Sequence, residues 1–316
     1  MRSTTDVVYL RLEHEGFVAW GEATLPPYLP ETQATVMQFL SGIDITGLPV
    51  PFNPIAVFKK IDEQYPGNYS AKAALDMALW DLKAQMEGIT IGALLGIESG
   101  IFPLCTYTLG VSSFDEMKLK VNEAAEYGFE LFKIKLNGQN DQDAIANFRK
   151  LTAKPFAVDV NQGWKSAEEA SANLKSFARF DPVLIEQPLP VSDAGQMPAL
   201  LNAFSLPFYA DESCQVVADI EKLPGHFSGV NIKLMKCGGI SPAIEMIRRA
   251  RVLGLSVLVG CMSESSVGCT AAAQLTPLAD YADLDGPYLI ANDPFAGMTV
   301  ESGRIRLNPL KQKMQF

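Results

Sequence analysis

Histidine is nearly absent from this chain: His14 and His226 are the only two in 316 residues. A metal centre built on imidazole ligands is not expected. The five cysteines, Cys105, Cys214, Cys237, Cys261 and Cys269, are odd in number, far apart and form no CxxC. They suggest neither a disulfide framework nor a thiolate zinc site, and a reducing cytoplasm is the expected compartment. No stretch reaches the roughly 18 consecutive apolar residues of a membrane span, and no signal-peptide pattern opens the chain. Basic clusters are missing too: the net charge is -10 without long runs of one sign, so nucleic acid is not an expected partner. What is present, 48% hydrophobic and 20% charged residues, is the composition of an ordinary globular protein with a substantial core. One large domain plus a smaller one is the prior for this length.

Residues 1 to about 100 read as a mixed α+β segment. Strand-like alternation from Val7 to Leu12, then Gly16 and the apolar run Phe17 to Trp20, is a hairpin signal. Helical spacing follows from Ser70, with Ala71, Ala74, Leu75, Ala78, Leu79, Leu82 and Met86 on one face. Ser70 is the expected N-cap and Gly88 the expected stop. From 101 to about 290 the character changes to short apolar runs between longer helical stretches. The runs are Leu104 to Leu109, Leu131 to Leu136, Phe156 to Val160, Val183 to Glu186, Phe208 to Asp211, Val230 to Leu234, Val257 to Cys261 and Tyr281 to Asp285. Such continuous runs suit buried parallel strands, and their recurrence suits βα units. The expected fold class is therefore α/β, a TIM-type barrel with its site at the C-terminal strand ends. A doubly wound sheet competes, but no GxGxxG follows the first strand. The segment 291–316 is expected to return to the N-terminal segment.

Charged residues close nearly all the runs, where a strand buried on both faces should carry none without cause. Lys133 and Lys135 flank Ile134, so alternation points both to one face. Asp159 with Asn161, Glu186, Asp211 with Glu212, Lys233, and Asp283 with Asp285 end later runs. Taken singly, each carboxylate could be a salt bridge or a helix N-cap. Taken together, Asp159, Glu186 and Asp211 lie at equivalent points of successive units and make an all-oxygen site for a hard divalent cation such as Mg2+.

The lysines complete the constellation. An amine serves as a general base only if burial and a neighbouring cation bring its pKa down towards about 7 to 8, and Lys133, Lys135 and a metal together would supply that setting. Lys135 and Lys233 lie on the second and sixth strands, across the mouth of an eight-stranded barrel from each other. Two such groups on opposite faces of one carbon can invert it. Structural pairing with carboxylates is the alternative, most plainly for Lys133.

The ordered motifs Lys-Ile-Lys at 133–135, Asp-Val-Asn at 159–161, Ile-Glu-Gln-Pro at 185–188, Ala-Asp-Glu-Ser at 210–213 and Asn-Ile-Lys at 231–233 resemble the muconate-lactonising-enzyme subgroup of the enolase superfamily. The resemblance implies a (β/α)7β barrel with an N-terminal α+β cap. It also implies one Mg2+ per subunit on Asp159, Glu186 and Asp211, an acid/base pair in Lys135 and Lys233, and Lys133 against the substrate carboxylate. Asp283-Leu284-Asp285 is similar to the dipeptide epimerase pattern, in which the pair holds the free α-ammonium group; a solvated loop is the other reading. Thr108 and the segment Cys261 to Glu264 match pocket-lining positions, although Cys261 is equally a small core residue and Glu264 could orient a lysine or cap a helix. The implied reaction is epimerisation at the C-terminal residue of a dipeptide through an enediolate. An o-succinylbenzoate synthase, an N-acylamino acid racemase and a non-catalytic binding protein are the rivals, and a homo-oligomer is left open. In the family a further strand and a mobile loop precede the hairpin, so a truncated chain or an abbreviated cap is expected here. With that loop goes a cationic reader of acidic side chains. A preference for small or apolar C-terminal residues, or broad tolerance, is expected, with Ala-Glu a close second.

Overall fold

The computed structural model describes residues 4–26, 28–97 and 100–314. Strands β1 (Asp6–His14) and β2 (Phe17–Leu25) pair as an antiparallel hairpin from Asp6 opposite Leu25 to His14 opposite Phe17. Helices α1 (Gln33–Gly42), α2 (Pro54–Gln64) and α3 (Tyr69–Glu87) pack on it, and a single turn, α4 (Ile91–Leu94), follows. Gly21 is required where hairpin and helix meet, because a Cβ there would stand 1.8 Å from the Ala74 carbonyl oxygen. Helix α3 ends at Gly88 in the left-handed region, as its sequence predicts. Its start differs. Asn68, with φ of 54°, is the N-cap and makes no side-chain cap; Ser70 lies inside the first turn, and its N–H and hydroxyl both donate to Glu31. Glu31 supplies the acceptor that a capping side chain would have given.

The remainder is a parallel sheet of eight strands in sequential order: β3 (Thr106–Leu109), β4 (Leu131–Lys135), β5 (Phe156–Asp159), β6 (Ile185–Glu186), β7 (Phe208–Ala210), β8 (Gly229–Lys233), β9 (Ser256–Gly260) and β10 (Tyr281–Asp283). A parallel bridge from Cys105 to Ala282 closes it into a barrel. The connections carry α5 (Phe114–Glu126), α6 (Asp141–Leu151), α7 (Ala167–Phe177), α8 (Met197–Ala203), the one-turn α9 (Leu234–Cys237), α10 (Ile240–Val252) and α11 (Ser266–Ala273). Between β7 and β8 the chain forms only a 3-10 turn, Val217–Lys222. After β10 come the short α12 (Gly286–Leu289) and four short strands, β11 (Phe295–Ala296), β12 (Thr299–Glu301), β13 (Arg304–Arg306) and β14 (Lys311–Gln312). Phe295 reaches the hairpin, its ring 5.4 Å from that of Tyr9 and 5.1 Å from that of Trp20. Among the described residues no helix is long and apolar enough to cross a membrane.

The period-two alternation of the strands builds the site. Ala157, Leu184 and Tyr209 join Leu258 in a buried apolar layer within the barrel. Two residues further along each of those three strands, on the same face, stand Asp159, Glu186 and Asp211. The residues between, Val158, Ile185 and Ala210, point outward into the main core beneath the helices. An apolar floor below and a carboxylate layer above thus follow from one alternation.

Candidate active site

All three carboxylates of this layer are buried, with Asp159 and Glu186 fully enclosed. Lys133 lies at their centre: its Nζ is 3.2 Å from Asp159, 2.8 Å from Glu186 and 2.7 Å from Asp283. Lys135, one pleat further out and partly exposed, donates to Asp159 Oδ2 at 2.6 Å. Both lysines therefore face the interior. On the far side Lys233 donates to Asp211 Oδ2 at 2.7 Å. The positions singled out in the sequence thus converge. Asp283 accepts from the Thr106 hydroxyl at 2.5 Å, Asp285 accepts from the Thr108 N–H at 2.6 Å, and the Cys261 N–H donates to the Asp283 carbonyl at 3.0 Å. Strand β10 stops at Asp283, and Asp285 stands at the start of α12. Both aspartates are buried, so the solvated-loop reading of this pair fails.

Burial alone would lower the Lys133 ammonium, but Asp283, Glu186 and Asp159 outweigh it and hold the group well above its ordinary range. Lys233 is likewise held up, against burial, chiefly by Asp211. Neither is brought down towards neutrality by its neighbours as they stand, because the carboxylate charge around them exceeds the cationic charge. The carboxylates divide accordingly. For Asp159 burial is outweighed by Lys135 and Lys133, which hold it down to about 2. Burial and the adjacent Asp159 raise Glu186 to about 7, and burial with Asp283 raises Asp285 to about 7.

Several supporting roles were not assigned from the sequence, although Gln187 and Asn231 stand in the quoted motifs. Lys236, buried on α9, donates to Asp211 Oδ1 at 2.6 Å and to the carbonyls of Asp211, Cys214 and Asn231. A lone cation in an apolar turn three residues after Lys233 was the available signal. Asn231 Nδ2 donates to Glu186 Oε1 at 2.7 Å, and it shares the Lys233 face by alternation. Gln187 Oε1 accepts from the Asp211 and Ser213 N–H groups, fastening the loop after β7; nothing in the sequence marks that bond.

Asp159, Glu186 and Asp211 fit a hard divalent cation by chemistry: all-oxygen donors, buried, at the ends of consecutive strands. Glu186 Oε2 accepts no hydrogen bond, although Lys133 is close. Among the described residues no three acidic, histidine or cysteine side chains already converge on one point, since lysine ammonium groups pair with the carboxylates.

An eight-stranded barrel under an α+β cap, with carboxylates and lysines facing each other at its mouth, defines an enolase-type architecture. Family models agree: the mandelate racemase / muconate lactonizing enzyme N-terminal domain matches residues 1–96, and the enolase C-terminal domain-like family matches residues 116–303. The chain belongs to this mandelate racemase / muconate lactonizing enzyme family. It is 40% identical over 309 residues to the L-Ala-D/L-Glu epimerase of Bacteroides thetaiotaomicron, covering 98% of this chain and 80% of that protein. It is 37% identical over 301 residues to the L-Ala-D/L-amino acid epimerase of a Maribacter species, covering 95% and 88%. Among solved structures, the dipeptide epimerase of Enterococcus faecalis complexed with Mg and L-Leu-L-Tyr superposes with a TM-score of 0.86 at 27% identity, covering 96% of this chain and 89% of that one.

Proposed function

We propose that this protein is a Mg2+-dependent dipeptide epimerase that moves the α-proton of the C-terminal residue. The observation that carries the reading is the placement of Lys135 and Lys233 at the ends of β4 and β8, four strands apart in a closed barrel of eight. Asp159, Glu186 and Asp211 would hold one ion per chain. A divalent ion held there would supply Lewis-acid stabilisation of charge developing on the substrate carboxylate and would offset part of the negative charge that holds Lys133 and Lys233 protonated. Lys133 faces the same carboxylate. Lys135 or Lys233 removes the α-proton and the other delivers one to the opposite face, so each lysine is the base for one isomer and the acid for the other. Asp283 and Asp285 take the substrate ammonium group, with Thr108 and Cys261 beside them. A dipeptide is favoured over an N-acylated amino acid because Lys133 already pairs with Asp283, and a neutral acyl group would leave the buried Asp285 without a cation. The five cysteines are all free and buried, which favours a reducing cytoplasm.

For the side chain at the reacting carbon we propose small or apolar groups, or broad tolerance, with Ala-Glu a close second. Arg149, Arg249, Arg251, Arg304 and Arg306 bond to groups away from the mouth, which leaves them unavailable to read an acidic side chain. The test is a library of L,L-dipeptides and N-acyl amino acids in deuterium oxide, read by mass spectrometry. Dipeptides that epimerise should gain one deuterium. Labelling of N-acyl substrates alone would refute the role of Asp283 and Asp285; strict selectivity for Ala-Glu would refute the specificity.

A further inference from the structure

The cap sends a second kind of group into the barrel. Glu22, on β2, is fully buried and accepts four hydrogen bonds: Thr24 Oγ1 at 2.6 Å and Ser265 N–H at 2.9 Å on Oε1, Ser265 Oγ at 2.5 Å and Gly268 N–H at 2.9 Å on Oε2. Ser265 is the N-cap of α11, so a cap carboxylate completes the N-terminus of a barrel helix, where negative charge is favoured. The same turn begins with Glu264, also buried, whose Oε1 accepts from the Met262 N–H at 2.8 Å and whose Oε2 has no hydrogen-bond partner. Both carboxylates face the bare Cα of Gly268: a Cβ there would lie 2.3 Å from Glu264 Oε2 and 3.3 Å from Glu22 Oε2.

Two buried carboxylates so placed cannot both ionise cheaply. Burial raises both carboxyls, but four donors oppose the shift at Glu22 and only one does so at Glu264. We propose that Glu22 is a positioning residue of the reaction: pinned across the cap–barrel junction, it holds a proton on Glu264 Oε2, so that Glu264 stays neutral beside Lys233. The charge of Lys233 acts on Glu264, and a neutral Glu264 leaves that ammonium group to its 2.7 Å contact with Asp211. The proposal rests on the reading of Lys233 as an acid/base group. Burial, and after it the Glu22 carboxylate, raises Glu264 to about 8, in line with this division. The other titratable groups around the pair are Tyr9 near Glu22, with Asp293 beside Tyr9, and Tyr28, Lys233, Cys261 and Cys269 near Glu264.

Infrared spectroscopy of the intact protein tests this independently of turnover. Asp76, Glu186 and Asp285 are also raised to about 7 and absorb in the same region, so the Glu264 band is the component of the wild-type carbonyl absorption at neutral pH that Glu264→Gln removes. Glu264→Gln, whose amide is neutral and of the same shape as the acid, should fold with an unchanged Tm. In Glu22→Gln the pH at which the band disappears should fall by about one unit, and kcat for any active dipeptide should fall by about tenfold with KM within twofold. Asp76→Asn alters another buried carboxyl at the cap–barrel junction, itself raised to about 7, and should remove its own component while leaving the Glu264 component unmoved. A wild type without the band, or a band unaltered in Glu22→Gln, overturns the proposal, as does a band that moves equally in Asp76→Asn. Absence of turnover in the wild type would instead count against the proposed function, since the band is read without substrate.

Discussion

At the scale of single residues the site is a balance of buried charge. Lys133 touches carboxylates from three strands, and Lys236 braces Asp211 from beneath with one ion pair and three carbonyl contacts. Removing one partner from such a network leaves the other uncompensated, which costs more than the pair contributes. Lys236→Met should therefore destabilise the protein by about 3–5 kcal/mol, read from the midpoint of urea unfolding. A loss below about 1 kcal/mol would mean that Lys233 alone satisfies Asp211. The proposed acid/base pair makes a different kind of prediction. Lys135→Ala and Lys233→Ala should each lower epimerisation by about 10²–10⁴-fold. Each should also abolish solvent deuterium exchange for opposite isomers, followed by proton NMR of the α-position. Equal residual exchange of both isomers in both variants would reject the assignment.

At the scale of elements, the cap is tied to the barrel through buried acids at helix N-termini. Asp76 on α3 accepts from the Ser241 N–H at 2.8 Å and its hydroxyl at 2.5 Å, at the start of α10, while Trp80 Nε1 donates to the same hydroxyl at 2.9 Å. Burial raises the Asp76 carboxyl to about 7 despite those bonds. Its folded value exceeds the unfolded one of about 3.9, so its stabilising contribution is complete below about pH 4 and is lost as pH rises through about 7. The difference in unfolding free energy between wild type and Asp76→Asn should consequently change by a few kcal/mol, on the order of 4, between these limits, with the wild type losing stability towards alkaline pH. A constant difference from pH 4 to 8 would show that Asp76 ionises freely in the fold. Gly21→Ala probes the neighbouring contact: its methyl would collide with the Ala74 backbone, and a loss of about 1–3 kcal/mol is expected by urea unfolding.

The elements also show what was legible in advance. Strand ends could be read because buried parallel strands are apolar and their terminal charges stand out; Lys133, Asp159, Glu186 and Lys233 were visible for that reason. The α3 terminus at Gly88 was visible because a left-handed residue demands glycine. The α3 start was not, since its first turn is satisfied by Glu31, a partner 39 residues away from Ser70. Long-range partners of this sort, Glu22 to Ser265 and Gln187 to Asp211 included, leave no local pattern. The charge around Lys133 and Lys233 was not legible for the same reason: it depends on how many carboxylates gather in space around each ammonium group.

At the scale of the whole molecule, the barrel holds its carboxylates at the mouth against their mutual repulsion, with lysines as the present counter-charge. A divalent ion on Asp159, Glu186 and Asp211 should therefore act on the folding equilibrium as well as on turnover, because it binds a site that only the folded chain assembles. At a hundredfold excess over Kd it should add about 2.7 kcal/mol, which for a chain of this size raises Tm by several degrees. Chelation should abolish epimerisation, and Mg2+ should restore both activity and the higher Tm. Glu186→Gln should fold, lose most of the Mg2+-dependent shift in differential scanning calorimetry, and be inactive at Mg2+ levels that saturate the wild type. A wild type that remains active after complete removal of divalent ions would sink the carboxylate assignment. A full Mg2+ shift retained in Glu186→Gln would instead place the ion elsewhere in the acidic cluster.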